Sequence, residues 1–414
     1  MNAEHHSLTE RIAQHLRRST ENIVREKARL HLLDWLGCVA GARRSAMGQL
    51  QATHMGAMPV DRAAWLGNVL EMDDVHRAGI LHPGPVVWPS VLGVGGDSIE
   101  DALEAAIRGY EAMIATGAMF DGRHYAFWHN TATAGAFGAA AAAAYRLGAS
   151  EQAMVSALGL AGSVTGGLWQ MRHEPVMAKQ WHLAHAMATG QRAAGAAMRG
   201  VTGPRLVLEG PQGLFAATCE KPHPLVLGGG WRIDEVSFKP WGACRHAHPA
   251  IDAALELKAR GALDGAVPVA TYRDALVFCD RPDPASVIDA KFSLQHAVAI
   301  VMARGEPRLA DFEPDAIAAL ASTRARICVI EETSFTAAYP AHFGARVTTD
   351  HGEVLLHDTR GDPERPLLEA GVIDKARALM AWGGVDAAEA DEAIQIARTG
   401  DRVSDIVRVL ERWL

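Results

Sequence analysis

The 414-residue sequence predicts a mainly α protein, in which both chain ends form a large all-helical domain and a smaller α+β domain is inserted between them. Three observations predict it. The first two thirds of the chain carry apolar residues at helical spacing, with glycines where helices would end. Near Trp231 the character changes to short stretches of β-branched and aromatic residues. From Val372 to Leu414 helical spacing returns, and this tail packs most economically onto the first domain. The boundaries that follow are residues 1–236 plus 371–414 for the helical domain and 237–370 for the insertion.

The elements follow in order. Ser7 with Glu10 reads as a capping box for a short first helix. Thr20 is placed to cap a longer one, whose Ile23, Ala28, Leu32, Trp35, Leu36 and Val39 recur until Gly41. Further helices are predicted over Asp101–Ala118, Thr133–Leu147, Glu151–Gly162 and His182–Met198, with Gly148 and Gly200 as stops. So much Ala and Gly predicts helices in close contact. In the insertion, strands are expected over Val267–Cys279 and Arg326–Ile330, with a hairpin over Ala345–His357 turning at Asp350-His351-Gly352. Helices are expected over Pro249–Ala259, with Pro at its first position, and Ser293–Ala303.

Composition narrows the function. Apolar residues at 49% and charged residues at 21% exclude a mainly disordered chain. The net charge is −8 and no Lys/Arg tract appears, which argues against nucleic-acid and anionic-membrane partners. Five scattered cysteines without a CxxC argue against a disulfide framework or a Cys-ligated metal. The stretch from Met1 to Glu10 lacks a signal-peptide core, and the uncharged run Tyr125–Tyr145 is too rich in Ala to hold a bilayer, so the cytoplasm is expected. Nineteen histidines direct attention to proton chemistry.

Four polar clusters interrupt the apolar pattern. In Glu71-Met-Asp73-Asp74-Val-His76, followed by His82-Pro83-Gly84, the Pro and Gly display His82 on a stiff loop, and the upstream carboxylates would fix its tautomer; a capped turn with solvated acids is the structural alternative. In Trp128-His129-Asn130-Thr131, a His at a helix N-terminus is kept neutral by the positive end of the helix dipole, or else merely sits beside an Asn130 or Thr131 cap. In Lys179-Gln-Trp-His182-Leu-Ala-His185 the three ionisable residues would share one helix face and hold a carboxylate; a surface lysine is the alternative, and no acidic third metal ligand follows. The fourth, Lys239-Pro-Trp-Gly-Ala-Cys244-Arg245-His246-Ala-His248-Pro249, reads as an anion-binding loop, with nucleophilic catalysis by Cys244 weakly supported. One site gathering these clusters would be cationic, histidine-rich and metal-free. It could take a proton from carbon next to a carboxylate, the opening step of dehydration, decarboxylation and epimerisation alike.

These residues carry a resemblance. The chain resembles the MmgE/PrpD family, which includes 2-methylcitrate dehydratase, cis-aconitate decarboxylase and iminodisuccinate epimerase. The likeness rests on Glu71-Met-Asp-Asp-Val-His76 with His82-Pro-Gly84, on Trp128-His-Asn-Thr-Ala-Thr-Ala-Gly135, and on Lys179-x-x-His182 with Gly200-Val-Thr-Gly-Pro204. It continues through Lys239-Pro-Trp, Cys244-Arg-His-Ala-His248, Ala290-Lys-Phe-Ser-Leu-Gln295, His342-Phe-Gly-Ala-Arg-Val347 and Gly361-Asp-Pro363. It implies the same helical domain with the α+β insertion as a lid, a homodimer, and a reaction without cofactor. The family's loop histidine falls on His82, its helix-start histidine on His129, its site lysines on Lys179 and Lys239, and its carboxylate, usually Asp, on Glu71. The chain departs from relatives at His296, where many have Tyr, at Cys244, where the decarboxylase branch has His, and at Ala184-His185.

The expected activity is a cofactor-independent hydro-lyase acting on a small di- or tricarboxylate. His82, His129, Lys179, Lys239 and Glu71 are the expected catalytic groups; Arg245, His182, Cys244, His296 and Asp73 are expected at the substrate, with no metal. An epimerase or a decarboxylase at the same site is the near alternative, and a non-enzymatic carboxylate-binding protein the distant one.

Overall fold

The computed structural model describes residues 6–54, 58–174 and 176–414. The chain is mainly helical, with one small mixed sheet in its C-terminal region. It divides into two compact units: Met1–Val69, Asp73–Val236 and Glu369–Leu414 form unit 1, and Leu70–Met72 with Ser237–Leu368 form unit 2.

Unit 1 is helical throughout. The Ser7–Glu10 capping box opens a helix over Leu8–His15. The next helix, α1 (Asn22–Ala42), starts after Glu21 rather than at Thr20, whose hydroxyl bonds the Glu104 carboxylate instead, and it runs through Gly41. Then come α2 (Gly84–Leu92), α3 (Ile99–Gly117, capped by the Ser98 hydroxyl), α4 (Asn130–Arg146), a helix over Glu151–Gly162, and α5 (Ala178–Ala197), which begins a turn earlier than its apolar pattern suggests.

The centre of unit 1 is α4, buried from Asn130 to Ala144. It packs against α3 and α5 at distances only small residues allow. A Cβ on Gly138 would meet the Met113 Cβ at 2.6 Å, and one on Gly190 of α5 would meet the Ala139 Cβ at 2.4 Å. The Ala and Gly content of these segments is therefore a packing requirement: it brings backbones together and recovers in dispersion what larger apolar side chains would supply.

Three further helices, Glu369–Trp382, Ala387–Thr399 and Val403–Trp413, complete unit 1. The first lies on α1, where the Lys375 Nζ is 2.5 Å from the Asp34 carboxylate with both side chains buried. Burial pushes the Asp34 carboxyl up to about 7, against the pull of Lys375. No helix among the described residues is long and apolar enough to cross a membrane.

Unit 2 carries strands β1 (Val267–Thr271), β2 (Ile327–Glu331), β3 (Ala345–Thr349) and β4 (Gly352–Leu356) in the order β2-β1-β3-β4. β1 and β2 run parallel, with Val269 opposite Val329; β3 pairs antiparallel with both β1 and β4, with Val347 opposite Val354. The strand expected to reach Cys279 ends at Thr271, and Arg273–Cys279 is a helix that buries Ala275 and Cys279, four residues apart. Two helices cover the sheet, α6 (His248–Ala259) and α7 (Leu294–Arg304, capped by the Ser293 hydroxyl). Ile251, Val267, Val269, Leu294, Val298 and Val347 meet in the core of this unit.

Candidate active site

The loop that displays His82 is built around Asp74. The Asp74 carboxylate accepts from the Gly84 backbone N–H at 2.8 Å and from the Tyr110 hydroxyl at 2.6 Å, and lies 2.8 Å from His31 Nδ1. A side chain at position 84 would collide with it, a Cβ there falling 2.8 Å from the Asp74 oxygen. Asp73 takes the other role. The Asn68 amide holds its carboxylate at 2.7 Å, and that carboxylate lies 2.9 Å from His82 Nδ1, which is also 3.2 Å from the Asp74 carbonyl. Two acceptors at Nδ1 place the proton there and leave the Nε2 lone pair to act as a base. The His82 side chain is partly exposed, so the imidazole is supported from behind and open in front.

The backbone N–H of His82 donates to the Thr131 hydroxyl at 3.2 Å, tying this loop to the start of α4. There His129 itself occupies the N-cap position. The expected caps Asn130 and Thr131 lie inside the helix, and the Asn130 side chain instead bonds His124 and the Gly79 carbonyl. The His129 ring is buried, 3.3 Å from His182 of α5 between their Nδ1 atoms, with the Trp169 ring at 4.5 Å. Burial first, then Lys179 and the neighbouring His182, His82 and Arg172, hold its pKa well below the ordinary imidazole range. His182 is lowered in the same direction, by burial and then by His185. His129 is therefore a neutral imidazole at physiological pH.

Unit 1 thus gathers His82, His129, His182 and Lys179 from three separate sequence clusters. His185 does not join them. Six residues carry it about 240° around the helix axis from Lys179, and it is exposed, stacked on Trp181 at 5.9 Å. Trp169 and Arg172 were not apparent from sequence; they sit on a short turn whose preceding residues pair with the approach to α4, with the Arg172 guanidinium 3.6 Å over the Trp169 ring. Their only signal is an aromatic and a cation three residues apart in Trp169-Gln-Met-Arg172.

Unit 2 holds the remaining candidates. Glu71 adopts φ +57°, a left-handed conformation rarely taken by a residue with a Cβ. Its carboxylate lies 3.6 Å from Nζ of Lys239, which is completely buried. Glu71 therefore addresses a lysine, and Asp73 is the carboxylate that orients a histidine. Cys244 is buried nearby. Burial alone would raise its pKa, but its hydrogen bond with Cys279, the His246 N–H and the Lys239 charge lower it overall; Cys279 is raised by burial and by Cys244.

Other residues of the expected anion-binding loop have partners within unit 2. Arg245 forms a buried ion pair with Asp362, which also accepts from the Ser237 hydroxyl at 2.6 Å, so its charge is already matched within the unit. The His246 Nδ1 lies 2.6 Å from the Tyr272 hydroxyl, and its ring stacks on Phe343 at 5.4 Å. His296, expected at the substrate, has protein partners at both ring nitrogens. Its Nε2 bonds the Asp311 carbonyl at 2.9 Å and its Nδ1 lies 3.3 Å from Arg324, so both ring nitrogens are engaged; burial lowers its pKa to about 4. Sequence reasoning passed over Lys291 as a site residue. It is buried and donates from Nζ to the Leu70 carbonyl at 2.8 Å, and its signal was a lysine between Ala290 and Phe292.

Among the described residues, His342, Asp358 and Glu364 bring potential metal-ligand atoms within 4.8 Å of one another. They lie in unit 2, and the His342 Nδ1 already contacts Asp358 at 2.8 Å.

The chain matches the MmgE/PrpD N-terminal domain over residues 56–225 and the MmgE/PrpD C-terminal domain over residues 241–400. No curated protein matches it significantly. The two matches together cover most of the chain and both units, and the chain belongs to the MmgE/PrpD family, whose members are typically enzymes and include dehydratases, decarboxylases and epimerases.

Proposed function

We propose that the protein is a cofactor-independent lyase of the hydro-lyase type, acting on a small di- or tricarboxylate by removing a proton from carbon next to a carboxylate. The observation that carries this reading is His82: its Nδ1 lies 2.9 Å from Asp73, which leaves Nε2 as a base at the partly exposed edge of the loop. In the proposed reaction Nε2 takes the proton, and the electron pair moves onto the adjacent carboxylate as an enediolate. Lys179, in the same unit, is suited to hold the developing charge. Expulsion of the β-hydroxyl, assisted by a proton, then forms the carbon–carbon double bond and water. Lys239 with Glu71 is the corresponding cation–carboxylate pair of unit 2.

A second reading, an epimerase, draws on the presence of two imidazoles, His82 and His129, in one cluster. The two readings separate in a single experiment. The protein is incubated in heavy water with citrate, methylcitrate, aconitate, citramalate, tartrate or iminodisuccinate and followed by proton NMR. New vinylic proton signals, or for methylcitrate a methyl signal shifted downfield onto a double bond, from one of the hydroxy acids support the lyase. Loss of an α-proton signal with no new carbon skeleton supports the epimerase, and an unchanged spectrum for all six refutes both. We infer also that the chain acts as a homodimer, which the exposed Phe127, Leu168, Val176, Met177 and Trp181 favour; a monomeric mass in sedimentation equilibrium would refute it.

A further inference from the structure

Four facts about the segment Leu70–Met72 stand together. It belongs by its contacts to unit 2 although its chain neighbours on both sides belong to unit 1. Its middle residue, Glu71, is one of two non-glycine residues with positive φ among the described residues. The Glu71 side chain ends 3.6 Å from a lysine with no solvent exposure. The carbonyl immediately before it, Leu70 O, receives a hydrogen bond of 2.8 Å from the buried ammonium of Lys291.

A left-handed Glu is strained relative to an ordinary conformation, and it persists only where neighbours over-determine it. A buried lysine, in turn, needs hydrogen-bond partners to offset the loss of water. The Lys291–Leu70 contact meets both needs. It is a charge-assisted bond to the carbonyl of the peptide group that joins Leu70 to Glu71, so it fixes the plane of the unit whose rotation would release the Glu71 φ angle. The grip is itself held in place: the Lys291 carbonyl accepts from the Cys244 backbone N–H at 2.8 Å, and Lys291 ends a helical turn capped by Ser286. Met72 is buried on the other side of Glu71.

We propose that Lys291 is a positioning residue: by gripping the Leu70 carbonyl it holds Glu71 in the left-handed conformation that directs its carboxylate to Lys239. The inference rests on the preceding reading only in taking the Glu71–Lys239 pair to serve the reaction.

The test compares Lys291→Met, which keeps the aliphatic stem and removes the donor, with Lys291→Arg, which keeps a donor. Crystal structures of both variants read the Glu71 φ angle and its distance to Lys239. Calorimetric titration with tricarballylate, a non-reacting tricarboxylate, reads affinity. In Lys291→Met, Glu71 is expected to relax to negative φ and leave Lys239, with tricarballylate affinity reduced at least about tenfold; in Lys291→Arg both are expected to stay near wild type. A Glu71 that keeps its left-handed angle beside Lys239 in Lys291→Met overturns the proposal. Should that variant fail to fold, Lys291→Leu, which also lacks a donor, serves in its place, with the same criterion. Glu71→Gln separates the two claims. If it binds tricarballylate as the wild type does, the Glu71–Lys239 pair has no part in binding and the functional reading of unit 2 falls, while the Glu71 angle in the Lys291 variants still decides the positioning claim.

Discussion

His82 and Asp73 form the smallest unit of the proposed chemistry, and they make distinct predictions. His82→Ala should lower kcat/KM on the substrate found by NMR by about 100-fold or more, the usual contribution of a general base. Asp73→Asn should retain part of the activity, because the Asp74 carbonyl still faces Nδ1, but with an altered pH profile. Full activity in His82→Ala would remove it from the mechanism. The buried histidines also set the acid stability. His124 and His296 are each lowered to about 4 by burial, so between the ordinary value of 6.5 and about 4 the unfolded chain binds protons that the native protein does not. Stability from these two groups is full above pH 6.5 and falls as the pH drops, by about 1.4 kcal/mol per pH unit per histidine. Asp34, raised to about 7, acts in the opposite sense and partly offsets them. Urea midpoints are expected to fall between pH 7 and pH 5, and His124→Gln to flatten that slope. At this scale the sequence exposed what is local: Pro83, Gly84 and the nearby carboxylates suffice to single out His82. It could not show that the charge of Arg245 is met by Asp362, 117 positions away, or that Arg324 and Asp311 take both nitrogens of His296.

Helices pack in unit 1 through glycine, and the cost of adding one methyl group depends on what that methyl meets. Gly190→Ala would drive a Cβ to 2.5 Å from the Ala140 backbone nitrogen, so it should destabilise by about 1–3 kcal/mol and lower Tm by several degrees. Gly195→Ala, on the same helix, meets only the flexible end of Arg199 at 3.4 Å and should be neutral or stabilising, since Ala is the better helix former. Equal melting temperatures for the two variants would contradict the close α4–α5 contact. Most elements were legible from periodicity and caps, including the Ser7–Glu10 box, the Glu151–Gly162 helix and the β3–β4 hairpin. The chief failure was Val267–Cys279. Its aromatic and β-branched composition suits a strand throughout, yet after Thr271 the burial of Ala275 and Cys279 four residues apart selects a helix.

For the whole molecule, the return of the C-terminal segment to unit 1 rests in part on a buried charge pair, Lys375 with Asp34. Lys375→Met would leave Asp34 buried without that cation, and the carboxyl would respond by holding its proton to higher pH. A folded pKa raised above the unfolded value stabilises below the unfolded value and loses that contribution as pH rises. Lys375→Met should therefore cost about 3 kcal/mol at pH 8 and clearly less at pH 6. A loss independent of pH, read by chemical denaturation, would show that the pair contributes only packing. The change of character near Trp231 and the helical tail made the interrupted architecture readable, because periodicity reports which surfaces need burial. The small Leu70–Met72 excursion into unit 2 carries no such periodic signal and was not readable.

That interruption bears on how the protein is made. The ribosome delivers the chain from its N-terminus, so the segment 237–368 emerges before the last helices of unit 1, Glu369–Trp382 among them, exist. Until they arrive, the α1 surface that they cover, including Asp34, lacks its final partner, while the later-made unit 2 already has all of its own residues. Order of synthesis and order of completion are thus reversed: the nascent helical portion must wait, partly assembled, for residues that follow unit 2 in the chain.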